Sequence, residues 1–450
     1  MASDEGGQAA LAPPRQSRHS DVMDGNKIAP PRTVGFAGMS LLQINGMIGS
    51  GIFALPAVLA AGVGSFAPVL MLLGGVLFLP LALVFAWLAA RFDMSGGPVV
   101  YGKAAFGSFA GFQAGWGRYV SGSVAMAANT HVMVSYFAAI FPPLQDPTLA
   151  TITAVAVIAG LTIINLFSMR GSVNALGGLT ALKLVPLAIL IGAALIGNYG
   201  APGIVLPEFS EVETVVLLLF YAFIGFEGVT VPAGELRDPK RDLPRVLITV
   251  LAGVTVLYAI IIWAYLAIGA SPDADESALA ASAQAALGDW GTLMIVLGAG
   301  FSILANSFSG VVVVPRMAYG MAQQGMLPAW FERIHPRFLT PFNAILFYGA
   351  ASCLFALWGG FLVLAAASTL SRLLTYIITA AALPVIERRE GVFSPFRALV
   401  ALLALASSIW ISSHATQEAW TIFGILLVVG TLLYFVARRG SVDEPVVETS

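Results

Sequence analysis

The sequence predicts an all-α polytopic membrane protein of about twelve transmembrane helices, and three observations carry that prediction. Of 450 residues, 58% are apolar and only 10% are charged, with a mean hydropathy of +0.87, whereas soluble domains carry roughly 25% charge. Apolar stretches long enough to cross about 30 Å of hydrocarbon, roughly 20 residues each, recur along the whole chain. Two of them, the first and the sixth, are broken at mid-length by glycine: GMIGSGIF at 46–53 and FIGFEG at 223–228. A break frees backbone groups that lipid cannot satisfy, so it is tolerated only where it faces protein or a water-filled cavity. Five spans separate one break from its equivalent. That odd number gives two five-span halves opposite topology, the 5+5 inverted-repeat layout of secondary transporters, with helices 1 and 6 discontinuous.

Taken in order, the predicted spans fall near 34–61, 66–90, 107–141, 150–169, 172–197, 212–235, 245–269, 290–320, 341–359, 361–386, 395–413 and 417–437. Residues 1–33 are polar and contain no apolar core with a small-residue cleavage site, so a disordered cytoplasmic tail is expected rather than a signal peptide. Spans 1–5 (34–200) form the first repeat and spans 6–10 (205–390) the second. Peripheral spans 11 and 12 (391–439) follow, then a short acidic tail, 440–450. With the N terminus inside, every one of the 22 Lys and Arg except Lys183 and Arg372 falls on the cytoplasmic side or at its boundary, Arg91, Arg118, Arg241, Arg316 and Arg389 among them. This satisfies the positive-inside rule and places both termini in the cytoplasm of a cell in whose plasma membrane the protein sits. The opposite loops carry Asp146, Glu208, Glu211, Glu213, Asp289 and Glu418. The alanine-rich stretch 273–287 is expected as a short surface helix, and 326–341, with Trp330, Phe331 and His335, as an interfacial segment.

The net charge of −2 and the absence of a basic stripe exclude a nucleic-acid reader. The single cysteine, Cys353, precludes a disulfide within the chain and reads as a buried small side chain. No HExxH, Walker A or GxSxG pattern is present. Neither enzyme chemistry, nor a metal, nor a cofactor is therefore expected.

The chemistry lies at the breaks. In span 1, Gly46, Gly49 and Gly51 let the chain leave helical geometry, so the second half-helix starts with free N–H groups and the positive end of its dipole facing the cavity. An anion such as a carboxylate belongs there, and Ser50 adds a hydroxyl. Carbonyls near Gly46 and Met47 end the preceding half-helix and suit an ammonium, so one break offers partners for both ends of an α-amino acid. Tyr221, Phe223 and Phe226 flank the second break and read either as caps over a ligand or as core. Glu227 is a carboxylate within hydrocarbon, which costs about 2.5–3.5 kcal/mol on insertion scales. It is read either as a proton-linked or gating acid or as a paired structural one. Lys183 lies near the bilayer middle, where its ammonium can occupy the place of a coupling Na⁺ or titrate. Arg372 keeps its proton and is expected to pair with a carboxylate of another span. His131 is read as a satisfied core histidine, with a ligand role as the alternative.

These residues bring the chain to a family. GMIGSGIFALP in span 1, FYAFIGFEGVTVPAGELRDPKRDLPR running out of span 6 and VPRMAYGMAQQGMLP ending span 8 resemble the amino acid–polyamine–organocation superfamily of permeases, over about 34–439. The resemblance implies a LeuT-like 5+5 fold, with spans 1 and 6 in a mobile bundle and alternating access around a midplane site. It implies that Gly49, Ser50 and Gly51 bind the substrate carboxylate, that carbonyls of Met47, Tyr221, Ala222 and Ile224 take the amino group, and that Tyr221 closes the site. It implies that Lys183 replaces sodium, leaving proton symport and exchange both open. A tryptophan stands at the Tyr221 position in the arginine/agmatine exchangers, and no acid apart from Glu227 awaits a cationic side chain. A small neutral or hydrophobic L-amino acid is thus expected, with a polyamine or other organic amine as the alternative and a receptor or enzyme on the same fold as a remoter one. Expected partners are the amino acid substrate, membrane lipid, protons under the symport alternative, and a second copy of the chain if a homodimer forms.

Overall fold

A computed structural model describes residues 34–442 apart from 93–95, 168–172, 198, 201, 232–235, 270–276 and 339. The expected N-terminal tail, the acidic start of the 273–287 stretch and the end of the C-terminal tail lie outside the described residues. The elements are α1 (Phe36–Met47), α2 (Gly51–Val63), α3 (Ala67–Ala89), α4 (Pro98–Phe106), α5 (Ser108–Ala138), α6 (Pro147–Phe167) and α7 (Val173–Ile196). They continue with α8 (Phe209–Tyr221), α9 (Pro239–Ile268), α10 (Ala278–Gln323), α11 (Phe342–Trp358), α12 (Phe361–Arg389), α13 (Pro395–Ser413) and α14 (Gln417–Val442). Eight stretches of described helix are long and apolar enough to cross a membrane. The protein is a multi-pass membrane protein, all-helical among the described residues.

Local chemistry sets the helix starts. Pro98, Pro239 and Pro395 stand in the first turns of α4, α9 and α13, where the missing N–H costs nothing. The Asp238 and Ser394 side chains accept the Arg241 and Arg397 N–H groups to cap α9 and α13. Glu208 and Glu211, read from sequence as loop acids, form a reciprocal capping box that opens α8.

The interior is built on α5, which packs along α12 and also against α10, while α3 packs against α9. Large apolar side chains such as Leu73, Val76, Leu354, Leu432 and Phe435 point outward, which suits a hydrocarbon solvent. α13 and α14 are among the helices with least of their length buried, and α12 with most.

The structure departs from the sequence expectations in four places. α4 is a separate short helix before span 3, set off from α5 by Gly107 at φ 89°. α10 begins at Ala278 and bends at Gly288, φ 67°. Its alanine-rich first part, expected as a surface helix, is sunk on one face: Leu279, Ala280 and Ala283 are buried while Ala281, Gln284 and Ala285 are exposed, because alanine and leucine at helical spacing make an apolar face. α14 runs on to Val442, past Arg439. Arg118, assigned to the cytoplasmic boundary, lies inside α5 and is buried. The positive-inside pattern counts basic residues near span ends, and a span that starts ten residues earlier than its charge hides this one.

Candidate functional site

Both glycine-rich segments are broken helices. α1 ends at Met47, Ile48 leaves helical geometry at φ −81°, ψ 89°, and α2 resumes at Gly51. α8 ends at Tyr221, and Gly225 at φ +100° starts a 3-10 turn, Phe226–Thr230. The breaks touch: a Cβ on Gly46 would lie 3.2 Å from the Gly225 carbonyl oxygen, and one on Gly225 would lie 2.8 Å from the Gly46 carbonyl carbon. Gly225 therefore needs glycine twice, for its positive φ and for the backbone approach.

A cavity of about 160 Å³ opens beside this contact. Drug-sized ligands occupy roughly 300–1,000 Å³, so the space suits a much smaller molecule. Met47, Gly49, Ser50, Gly51, Tyr221 and Ile224 line it, together with Asn129, Asn306, Arg118 and Arg372. Of the sequence-predicted site residues, Ala222, Lys183 and Glu227 do not line it.

At the start of α2 the amides behave differently from one another. The Gly49 N–H turns back to the Met47 carbonyl at 3.0 Å, whereas Ser50 and Gly51 open the helix, where N–H groups have no intrahelical acceptor. The Ser50 hydroxyl donates to Asn129 Oδ1 at 2.5 Å, and the Tyr221 hydroxyl donates to the same oxygen at 3.1 Å. Tyr221 thus links α8 to α5 through its hydroxyl while its ring meets Phe361 edge-on at 5.7 Å.

The carbonyls that end α1 are capped from three directions. Asn306 Nδ2 donates to the Asn45 and Gly46 carbonyls at 2.8 and 3.1 Å. Tyr258 Oη reaches the Met47 carbonyl at 3.3 Å. Lys183 Nζ donates to the Ile48 carbonyl at 2.9 Å, and Ser302 Oγ reaches the same oxygen at 3.4 Å. Lys183 is fully buried, and α10 adds the Ser302 hydroxyl at the same carbonyl. At the second break the Tyr221 carbonyl accepts the Ile224 N–H at 3.2 Å.

Glu227 follows Gly225 into the 3-10 turn and is fully buried. Its Oε1 accepts from Arg118 Nε at 3.1 Å and from Arg372 Nη1 at 2.5 Å, and its Oε2 accepts from Tyr376 Oη at 2.9 Å. The paired reading of Glu227 and the expected ion pair of Arg372 coincide in this cluster. His131 contacts the Ala356 carbonyl at 3.0 Å, as a satisfied core histidine does. Phe223 and Phe226 do not cap the cavity: they pack on Phe78, with Phe226 also against Phe85 and Tyr376, because α3 offers them an aromatic surface.

Sequence reasoning missed Asn129, Asn306, Tyr258 and Arg118. The available signal was a primary amide in an otherwise apolar span, which needs an internal partner as a charge does.

Two touching, glycine-broken helices that present backbone and hydroxyl groups to a cavity are the arrangement expected of a multi-pass solute carrier. The amino acid permease family matches residues 34–442, and the chain belongs to that family. It is 30% identical to an uncharacterized transporter of Mycobacterium tuberculosis over 417 residues, 90% of this chain and 91% of that protein. It is 24% identical over 438 residues to the methylthioribose transporter of Bacillus subtilis, covering 91% and 94%. It is 23% identical over 435 residues to the branched-chain amino acid permease of the same organism, covering 91% and 93%.

Proposed function

We propose that the protein is a secondary active transporter that carries a small L-amino acid across the plasma membrane by alternating access. It works independently of Na⁺, as a proton symporter or an amino acid exchanger. The observation that carries this reading is the pair of touching breaks, with Ser50 and Gly51, whose N–H groups open α2, at the wall of a cavity of about 160 Å³. In this reading the substrate carboxylate lies on those amides and the Ser50 hydroxyl. The ammonium meets carbonyls of Met47 and Ile224, both of which line the cavity, competing with Tyr258 and the Gly49 N–H for the Met47 oxygen. Tyr221 closes the site, exchanging its hydrogen bond to Asn129 as it moves, and Lys183 is the fixed cation at the first break.

The architecture that goes with this reading is the 5+5 inverted repeat. Residues 34–200 and 205–390 are its halves, 391–439 are peripheral, about twelve spans cross in all, and both termini are cytoplasmic. The relative named as a methylthioribose transporter supports a second reading, an organic solute that is not an amino acid. A polyamine fits the site less well, because Glu227 already serves two guanidinium groups and is not free to receive a cation. Uptake of labelled amino acids into proteoliposomes, with and without a pH gradient and with internal amino acid, tests the proposal. Accumulation of no amino acid under any condition would overturn it.

A further inference from the structure

The buried charges around the cavity do not balance. Arg118 and Arg372, each 5% exposed, both bind Glu227, so two guanidinium cations share one carboxylate. That carboxylate is fully committed, since Tyr376 takes its other oxygen. The remaining buried acid among the described residues, Glu387, lies fifteen residues further along α12, about 22 Å away at 1.5 Å per residue, and is held by Arg91 and Arg397. The remaining buried cation among the described residues, Lys183, adds to the excess rather than offsetting it. Both arginines line the cavity. Arg372 directs its Nε to Ser121 Oγ at 2.9 Å. Arg118 is less completely served: its Nη1 is shut away from solvent and meets no acceptor. A buried guanidinium nitrogen without a partner is a costly arrangement, and a turn of the side chain toward the cavity that it lines would let an acceptor relieve that cost.

We propose that Arg118 and Arg372 form a side-chain subsite that receives an anionic group, so that the preferred substrates are amino acids with a carboxylate-bearing side chain. This rests on the carrier reading above and narrows its substrate class. The sequence expectation of a neutral or hydrophobic side chain counted Arg118 as a boundary charge. With Arg118 inside, a substrate of net charge −1 brings the cluster to neutrality, a neutral zwitterion leaves it as it is, and a cationic side chain adds repulsion. Planar guanidinium groups suit a carboxylate because they donate in a fork. The α-carboxylate keeps its place at Ser50 and Gly51, which line the same cavity.

The test compares acids with their uncharged isosteres. Full-length protein in proteoliposomes is assayed for inhibition of labelled amino acid exchange by glutamate against glutamine, aspartate against asparagine, and leucine and lysine as controls. At least one acid should compete tenfold or more better than its amide, with lysine the weakest of the set. In Arg118→Gln the acid-to-amide ratio should fall to about one, whatever the absolute rate, and in Arg118→Lys it should be partly kept. The wild-type ratio decides the matter even if the variants fail to fold. Exchange of neutral amino acids with no preference for acids overturns this inference and leaves the carrier reading standing. Exchange of no amino acid removes both. If Arg118→Gln weakens acid and amide equally, the guanidinium serves the α-carboxylate and the side-chain subsite is wrong. The chloride arm repeats the assay with chloride replaced by sulfate: if neutral substrates require chloride, and Arg118→Gln abolishes that requirement, an inorganic anion meets the excess charge and the inference also fails.

Discussion

The contact between the two breaks can be tested by a graded series of glycine replacements. Gly225 sits at φ +100°, a conformation that costs a side-chain-bearing residue on the order of 1–3 kcal/mol. Its Cβ would also press into the backbone of Gly46, 2.8 Å from the carbonyl carbon. Overpacking of this kind adds about 1–3 kcal/mol, so Gly225→Ala should destabilise by on the order of 2–6 kcal/mol, a large share of the 5–15 kcal/mol typical of a folded protein. Gly46→Ala meets the Gly225 oxygen at 3.2 Å and should cost less, since that approach needs a shift of only a few tenths of an ångström. Gly51→Ala should cost nothing, because its Cβ falls 3.5–3.7 Å from Leu55, Ala222 and Tyr221 and alanine favours the helix by up to about 1 kcal/mol. Thermal midpoints of detergent-solubilised protein, read by size-exclusion chromatography after heating, should rank wild type and Gly51→Ala highest, then Gly46→Ala, then Gly225→Ala. Equal midpoints for Gly225→Ala and Gly51→Ala would refute the contact. Gly51→Leu separates folding from binding: it should insert and elute normally yet lose uptake, because the longer side chain fills the cavity.

Three further outcomes follow from the same geometry. Lys183→Ala removes the donor at 2.9 Å from the Ile48 carbonyl and leaves only the longer Ser302 contact. It should cripple uptake, while wild-type uptake should be unchanged when Na⁺ is replaced by K⁺ or choline; strict Na⁺ dependence would sink the assignment. Tyr221→Ala should slow transport more than it weakens substrate binding measured on the purified protein, since closure rather than the polar ends of the ligand is lost, and equal transport rates would mark Tyr221 as ordinary core. Glu227→Gln leaves Arg118 and Arg372 without their shared counter-ion and should lower stability by about 3–5 kcal/mol. Adding Arg118→Gln to it should recover part of that loss in the thermal midpoint, and additive losses would show that the two groups do not interact.

Sequence pattern located the helices well because hydrophobic length and glycine interruptions are local properties. The breaks read at 46–53 and 223–228 are visible in the glycines themselves, and Ser50 follows from its place between two of them. What the pattern could not reach was partnership across distant helices. Asn129 and Asn306 are single polar residues in apolar spans, and nothing near them in sequence tells that one joins Ser50 to Tyr221 while the other caps the end of α1. Arg372 was expected to find a carboxylate, and it did so in Glu227. That Arg118 shares the same carboxylate depends on how α5 lies against α12, a tertiary fact.

The different strengths of these links bear on how the proposed carrier can move. The bonds that tie Ser50 and Tyr221 to Asn129 are between neutral groups, each contributing about 0.5–1.5 kcal/mol. The Glu227 cluster joins the second break to α5 and α12 through two charge pairs, and opening such a pair in a buried setting costs about 3–5 kcal/mol. Both sets cross between the broken helices and α5, so a motion that separates the breaks from α5 meets the neutral links as its weaker resistance. The neutral links lie at the start of α2 and the end of α8, and the charged ones lie beyond Gly225. In the proposed alternating-access motion, the half of the second break before Gly225 would swing while the half after it stays held by the arginines. Gly225, whose lack of a side chain lets it sit against Gly46 at φ +100°, would be the pivot of that motion, and a substrate anion that engages Arg118 would tighten the fixed side as the other side closes.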